Sequence, residues 1–421
     1  MAVTAIRIRS SGPLEGTVAV AGAKNSVLKL LAATLLAPGE YVLRNVPGIQ
    51  DVAWMGELLE TMGCRVERPD ARSVRVVRPE VITAEAPYDL VERMRASIVV
   101  LGPLLASEGR ARVSMPGGDD FGSRPIDMHL KGLEALGARL VIRHGYVEGE
   151  VSGGLTGTRI VLEYPSVGAT ENALMAAVLA KGTTTIDNAA REPEIWDLAS
   201  FLNRMGARIV GAGSSTITVE GVERGELQGV EHTVVPDRIE AATYLSAVAV
   251  AGGEITVHGA RPDHMDMFIK KLGDMGVRIS PDPDGIWAMA PRRLAAVDVA
   301  TLPYPGVATD YKPFFTTMLA VADGVGIVTE NIFKGRFRYV DELLRMGADI
   351  RTDDNHAVVR GVERLSGAPV RAHDIRAGAA VVIAALKADG ETVVHDAHHI
   401  DRGYEDLAGT LASLGADVAR V

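Results

Sequence analysis

One short phrase occurs six times in this chain, and the spacing of its copies limits the folds open to it. The copies are LLETMGCRV, GLEALGARL, FLNRMGARI, KLGDMGVRI, ELLRMGADI and LASLGADV. Their pivotal glycines, Gly63, Gly137, Gly206, Gly276, Gly347 and Gly415, are separated by 74, 69, 70, 71 and 68 residues. Each glycine follows a periodic apolar run and precedes aliphatic residues, the pattern of a helix that stops on glycine and gives way to a strand. A second phrase keeps the same rhythm, an apolar run that ends in glycine and enters a β-rich segment, at Gly39, Gly109, Gly182, Gly253, Gly324 and Gly390. Two phrases sharing one period identify six repeated units of about 70 residues.

Each unit opens on a helix that is apolar on nearly all sides: SVLKLLAATLL, ASIVVLGPLLA, NALMAAVLA, AATYLSAVAVA, PFFTTMLAVA and GAAVVIAAL. Such helices are buried. The expected architecture is therefore α/β, with these helices inside and sheets outside. The period exceeds that of common solenoids, so the units are expected to group compactly.

Composition narrows the function. The chain has 421 residues, is 47% apolar and carries a net charge of −10. That charge argues against a nucleic-acid binder working by general electrostatics. Any anionic substrate must then be caught by local cations. Cys64 is the single cysteine, which excludes a disulfide framework and argues against a cysteine zinc site. It follows a glycine stop, as a packed and inert thiol would. No apolar run reaches the ~18–20 residues of a membrane span, and the first residues lack a signal pattern. A soluble, cytoplasmic protein is expected, with no membrane or nucleic-acid partner and no metal.

Polar residues cluster just before the six buried helices, in GAKNS, ERMRAS, SVGATEN, PDRIE, ATDYKP and HDIRAG. Asp, Asn, Ser and Thr there are ordinary N-caps. Lys24, Arg95 and Arg376 are not, because a cation at a helix N-terminus opposes the helix dipole. Their repetition suggests a compensating anion, and a helix start with Lys or Arg suits phosphate or carboxylate. Glu192 and Glu194 are expected to start a helix, with Asp197 in its first turn. The stretch MPGGDDFGSRPID, from Met115 to Asp127, has the glycines and the arginine of an anion-holding loop, yet its centre is Asp119-Asp120.

GAKNS, MRAS, PGG followed by GSRPIDMH, SVGATEN, NAAREPEI, PDRIEA, Asp310 after threonine and HIDRGYE occur in one order along the whole chain. In this the chain resembles the UDP-N-acetylglucosamine 1-carboxyvinyltransferases, the MurA-type enolpyruvyl transferases of peptidoglycan synthesis. The resemblance implies a two-domain inside-out α/β barrel, three units per domain. Residues 23–233 would form the first domain, with a mobile 115–124 loop; residues 1–22 plus 234–421 would form the second, with the active site in the cleft between them. It implies transfer of the enolpyruvyl group of phosphoenolpyruvate to the 3-hydroxyl of UDP-N-acetylglucosamine, by addition and elimination, without a cofactor. It further implies that Lys24, Arg124 and Arg402, with Asn25 beside them, hold the anionic groups of phosphoenolpyruvate. Asp310 would be the base for the sugar hydroxyl. The UDP-sugar would be lined by Arg95, Arg124, Pro125, Ile126, Asp127, Met128, His129, Tyr164, Pro165, Ser166, Val167, Asp310 and Ile332, with Arg336, Asp374, Arg376 and Arg402 in the same site.

The resemblance also explains the paired acids. Many relatives carry cysteine where this chain has Asp119, and a minority carry aspartate. Asp119 is then the proton donor to the methylene carbon. An ordinary aspartate titrates near ~3.9, so Asp120 and burial must raise it. One departure stands out: YKPFF follows Asp310 where relatives have a smaller, glutamine-containing run, which would set Tyr311 and Lys312 near the acceptor sugar. The alternatives are an enolpyruvyl transferase acting on another nucleotide, the shikimate-pathway relative, and a non-catalytic UDP-sugar-binding protein.

Overall fold

The structure, a computed structural model, describes residues 5–116, 125–333 and 335–421; Asp119, Asp120 and Arg124 lie outside them. Every repeat has the expected order, and the third shows it plainly. Strand Thr183–Asp187 leads to helix Pro193–Met205, which stops at Gly206 before the strands Arg208–Val210 and Thr216–Glu220. All six pivotal glycines have positive φ, from 86° at Gly347 to 121° at Gly206. At Gly63 and Gly137 an added Cβ would meet nothing within 4 Å. The demand there is conformational, since a side chain would fit but the backbone would be strained.

The chain divides into two compact units. Among the described residues, one comprises 22–116 and 125–235, here the first unit; the other comprises 5–21, 236–333 and 335–421, here the second unit. Each holds three four-stranded sheets. In each sheet three antiparallel strands come from one repeat, and a parallel edge strand is lent by another. Thus Arg159–Val161, at the end of the second repeat, pairs in parallel with Thr183–Asp187 of the third. In the first unit the loan closes into a ring when Glu231–Thr233 pairs with Val42–Arg44. The sixth repeat is split between the chain termini. Ile6–Arg9 pairs with both Glu391–His395 and Val418–Arg420, and Leu14–Ala19 continues to Gly253–His258 of the fourth repeat. This pairing assigns the N-terminal residues to the second unit.

The helices that open the repeats form the cores. In the second unit, Arg238–Ala251, Lys312–Ala320 and Ile375–Ala385 are buried along their whole length and pack pairwise. Lys24–Ala33, Leu101–Glu108 and Val167–Ala177 occupy the same place in the first unit. Strands alternate buried and exposed residues, as in Thr216–Glu220, so the sheets turn one face to these helices and the other to solvent. Among the described residues no helix is long and apolar enough to cross a membrane.

Asp197 departs from expectation. It lies beyond the first turn of Pro193–Met205 and is 1% exposed. Its carboxylate accepts from the Ser26 hydroxyl, from the Val235 N–H at 3.3 Å and from His232 Nε2 at 2.8 Å. A buried carboxylate needs such donors. Asp197 therefore ties together the two ends of the first unit rather than serving a helix dipole. Cys64 is buried, and burial pushes its thiol up to about 11.

Candidate active site

In the second unit, a short 3-10 turn, Thr309–Tyr311, precedes the buried helix Lys312–Ala320 and carries Asp310. The Asp310 side chain is 25% exposed, whereas the arginines behind it are each 5% exposed. Asp310 Oδ1 lies 2.9 Å from Arg336 Nη1, and Oδ2 lies 3.8 Å from Arg376 Nε. Burial works against the Arg336 charge, but Asp310 and Asp374 outweigh it and hold Arg336 above the ordinary guanidinium value. Two neighbouring guanidinium groups favour the charged form of a carboxylate. Asp374 caps the helix Ile375–Ala385 by accepting from the Arg376 and Ala377 N–H groups at 2.8 and 2.7 Å. The Ile332 N–H is fixed by the Glu330 carboxylate at 2.8 Å. Arg402, buried, follows the short helix His398–Asp401.

In the first unit, Lys24 is the first residue of Lys24–Ala33, and its Nζ meets Asp51 Oδ2 at 2.8 Å. The Asn25 carbonyl accepts from Lys29 Nζ at 2.8 Å, and Lys29 also faces Glu171 at 3.3 Å. Burial pushes the Glu171 carboxyl up to about 7 despite that neighbour. Arg95 opens the 3-10 segment Arg95–Val100, where burial lowers its guanidinium. Pro125 and Ile126 lead into helix Asp127–Ala135, in which Met128 packs on the core and His129 is buried.

His129 is held in one tautomer. Asn172 Oδ1 accepts the Gly102 N–H at 2.8 Å, which fixes the amide orientation. Asn172 Nδ2 must then donate, to the Ile98 carbonyl at 3.1 Å and to His129 Nδ1 at 2.8 Å. Burial, seconded by Arg95, pushes His129 down to about 4. The ring is neutral at pH 7 with its proton on Nε2. That edge lies against Gly168, where a Cβ would come within 3.0 Å of Nε2. Tyr164 and Pro165 approach the adjacent helix Val167–Ala177, which Ser166 caps through the Ala169 N–H.

Comparison with known proteins decides between the readings this geometry permits. Residues 8–411 match the family model described as EPSP synthase (3-phosphoshikimate 1-carboxyvinyltransferase). The UDP-N-acetylglucosamine 1-carboxyvinyltransferase 1 of Symbiobacterium thermophilum is 53% identical, over 97% of this chain and 93% of that protein. The UDP-N-acetylglucosamine 1-carboxyvinyltransferase of Corynebacterium jeikeium is also 53% identical, over 97% of each. The chain belongs to the UDP-N-acetylglucosamine 1-carboxyvinyltransferase family. The crystal structure of the enolpyruvyl transferase NikO from Streptomyces tendae matches with a TM-score of 0.90 and 28% identity, covering 100% of this chain and 99% of that one. EPSP synthase from Acinetobacter baumannii shares the fold alone, at a TM-score of 0.74 and 16% identity over 99% and 100% of the two chains.

For this 1-carboxyvinyltransferase family member, the structure groups Asp310, Ile332, Arg336, Asp374, Arg376 and Arg402 in the second unit. Lys24, Asn25, Arg95, Pro125 to His129 and Tyr164 to Val167 belong to the first. Asp119 and Arg124 lie outside the described residues. Two cations at helix starts are compensated by the chain's own carboxylates, Lys24 by Asp51 and Arg376 by Asp310. Sequence reasoning missed Asp51 and Glu330, for which no local signal exists, and it saw Asn172 only as one of the polar residues of SVGATEN, not as the partner of His129.

A second expectation needs correction. Tyr311 and Lys312 do not face an acceptor. Tyr311 is 2% exposed and packs on Phe268, its ring centre 4.7 Å away, and Phe268 in turn packs on Phe315. Lys312 is wholly buried against Glu330 at 3.0 Å. Both side chains turn inward because the helix that Lys312 starts, and that Tyr311 precedes, is buried on every side.

Proposed function

We propose that this chain transfers the enolpyruvyl group of phosphoenolpyruvate to the 3-hydroxyl of UDP-N-acetylglucosamine and releases phosphate, the first committed step of peptidoglycan synthesis, in the cytoplasm. The observation that carries the reading is identity of about half the residues, end to end, with relatives bearing that activity in their names. Asp310, partly open and backed by two buried arginines, supports it. In the reaction Asp119 gives a proton to the methylene carbon of phosphoenolpyruvate. The sugar 3-hydroxyl then bonds to the adjacent carbon, and Asp310 takes the hydroxyl proton. The new methyl group returns a proton to the Asp119 carboxylate as the carbon–oxygen bond to phosphate breaks, which leaves the enol ether, and the hydroxyl proton taken by Asp310 departs with the phosphate. Lys24, Asn25, Arg124 and Arg402 hold the phosphate and carboxylate. Arg95, Pro125 to His129, Tyr164 to Val167, Ile332, Arg336, Asp374 and Arg376 orient the nucleotide sugar, His129 as a neutral donor.

Identification of the enol ether by NMR, after incubation with both substrates, tests this reading. Formation of the enol ether of another nucleotide, with none from UDP-N-acetylglucosamine, would replace it by enolpyruvyl transfer to that nucleotide. Asp310→Asn removes the charge at nearly constant shape and should lower turnover by about 10²–10⁴-fold with little change in substrate affinity. Near-normal turnover in that variant would remove Asp310 from the mechanism.

A further inference from the structure

Behind Asp310 lies an ion pair that touches no exposed surface. Lys312 Nζ and Glu330 Oε2 are 3.0 Å apart, with both side chains 0% exposed. Isolated pairs of this kind are costly to bury, so their hydrogen bonds are informative. From the described residues Glu330 accepts five. Oε1 takes the Thr301 hydroxyl at 2.8 Å and the N–H groups of Ile332 and Phe333 at 2.8 and 3.1 Å. Oε2 takes Lys312 and the Thr309 hydroxyl, the latter at 2.7 Å. Burial works to raise the Glu330 carboxyl, but Lys312, Thr309 and Thr301 hold it below its ordinary value.

The donor inventory then leaves one arrangement. Thr309 has a single hydroxyl hydrogen, and Glu330 takes it, so the Thr309 oxygen can only accept from Arg336 Nη1, 2.9 Å away. That nitrogen has a second hydrogen, which points at Asp310 Oδ1 at 2.9 Å. Lys312 holds the same arginine from its backbone, donating to the Arg336 carbonyl, and its ammonium lies 3.9 Å from the centre of the Phe337 ring. All its hydrogens are thereby directed.

We propose that Glu330 and Lys312 are positioning residues for enolpyruvyl transfer, a buried pair that acts through Thr309 and Arg336 to aim the Asp310 carboxylate at the acceptor hydroxyl. The inference rests on Asp310 as the group that takes the hydroxyl proton. It gives the YKPFF segment a role: its lysine serves the base from behind rather than meeting the sugar. Burial pushes Lys312 down to about 8, with Glu330 and Asp374 opposing and Arg336 assisting. Loss of that proton at alkaline pH removes one of the three directed hydrogens and leaves the Glu330 carboxylate without its cation.

Thr309→Val breaks the relay at its one neutral link and leaves the ion pair intact; Thr309→Ser keeps the hydroxyl. Turnover should fall about 10–100-fold in the valine variant, as for a misaimed catalytic group, with KM for UDP-N-acetylglucosamine within about threefold. The serine variant should restore most of it. Lys312→Met should lose turnover and the alkaline fall of kcat near pH 8. Restoring stability with Glu330→Gln in the same chain should not restore kcat. Turnover that recovers in step with thermal stability, or a valine variant as active as wild type, overturns the inference. Crystal structures of wild type and Thr309→Val give a readout independent of activity. Arg336 should leave Asp310 in the variant, and an unmoved Arg336 overturns the relay. Absence of enol ether from wild type would instead count against the functional reading, with the crystallographic comparison still deciding the relay.

Discussion

Asn172→Asp is expected to reverse the proton chemistry of His129. In the native protein the Asn172 amide donates to Nδ1 at 2.8 Å, and burial keeps the ring neutral down to about pH 4. The carboxylate of the variant can still accept the Gly102 N–H but has no hydrogen for His129. The proton must come from Nδ1. A unit charge pair at 2.8 Å is worth about 6 kcal/mol at an effective dielectric of ~20, and burial of the new carboxylate removes part of this. A remainder of about 4 kcal/mol moves the imidazole midpoint up by about three pH units, to near 7. Stability follows with opposite signs. In wild type the unfolded imidazole takes a proton near ~6.5 and the folded one near about 4. The contribution is full above ~6.5 and falls by about 2.5 kcal/mol on acidification to pH 4.5. In the variant the folded midpoint is the higher one, so the pair stabilises at low pH and fades as pH rises through that midpoint. Long-range nitrogen–proton NMR of the ring gives tautomer and midpoint, and urea unfolding at acid and neutral pH gives the sign. A variant ring still protonated on Nε2, with its midpoint near 4, would refute the reasoning.

Other consequences follow from the two units. Asp51→Asn leaves the Lys24 ammonium, 12% exposed, without its carboxylate and should cost about 3 kcal/mol; added phosphate should recover part of it in a thermal melt, through linkage, and no anion-dependent recovery would separate Asp51 from Lys24's charge. Asp119 in the place of cysteine should leave the protein unalkylated by fosfomycin, because a carboxylate is a poorer nucleophile than a thiolate. Intact-mass measurement with UDP-N-acetylglucosamine present should show no adduct on wild type and one on Asp119→Cys; an adduct on wild type would contradict the assignment.

What the sequence disclosed was local. The six glycine stops are legible because helix end, positive φ and strand start all lie within a few residues. The helix caps at Asp237 and Asp374 are legible for the same reason. The sixth repeat was hidden at the level of pairing, since Ile6 meets Arg420 and Val394 across nearly the whole chain, and no local pattern encodes that register. The same holds for charge. Lys24 and Lys312 were visible as cations at helix starts, but Asp51 and Glu330 reach them only through packing. Asn172 looked like one more polar residue in SVGATEN, and only the approach of Gly102 shows which way its amide faces.

The most direct test of the account is phosphate release from phosphoenolpyruvate, measured with and without UDP-N-acetylglucosamine. Release by the wild-type protein should depend on the nucleotide sugar and match the enol ether mole for mole, and Asp310→Asn should nearly abolish it. Phosphate release that ignores the sugar, or none with it present, would contradict the account.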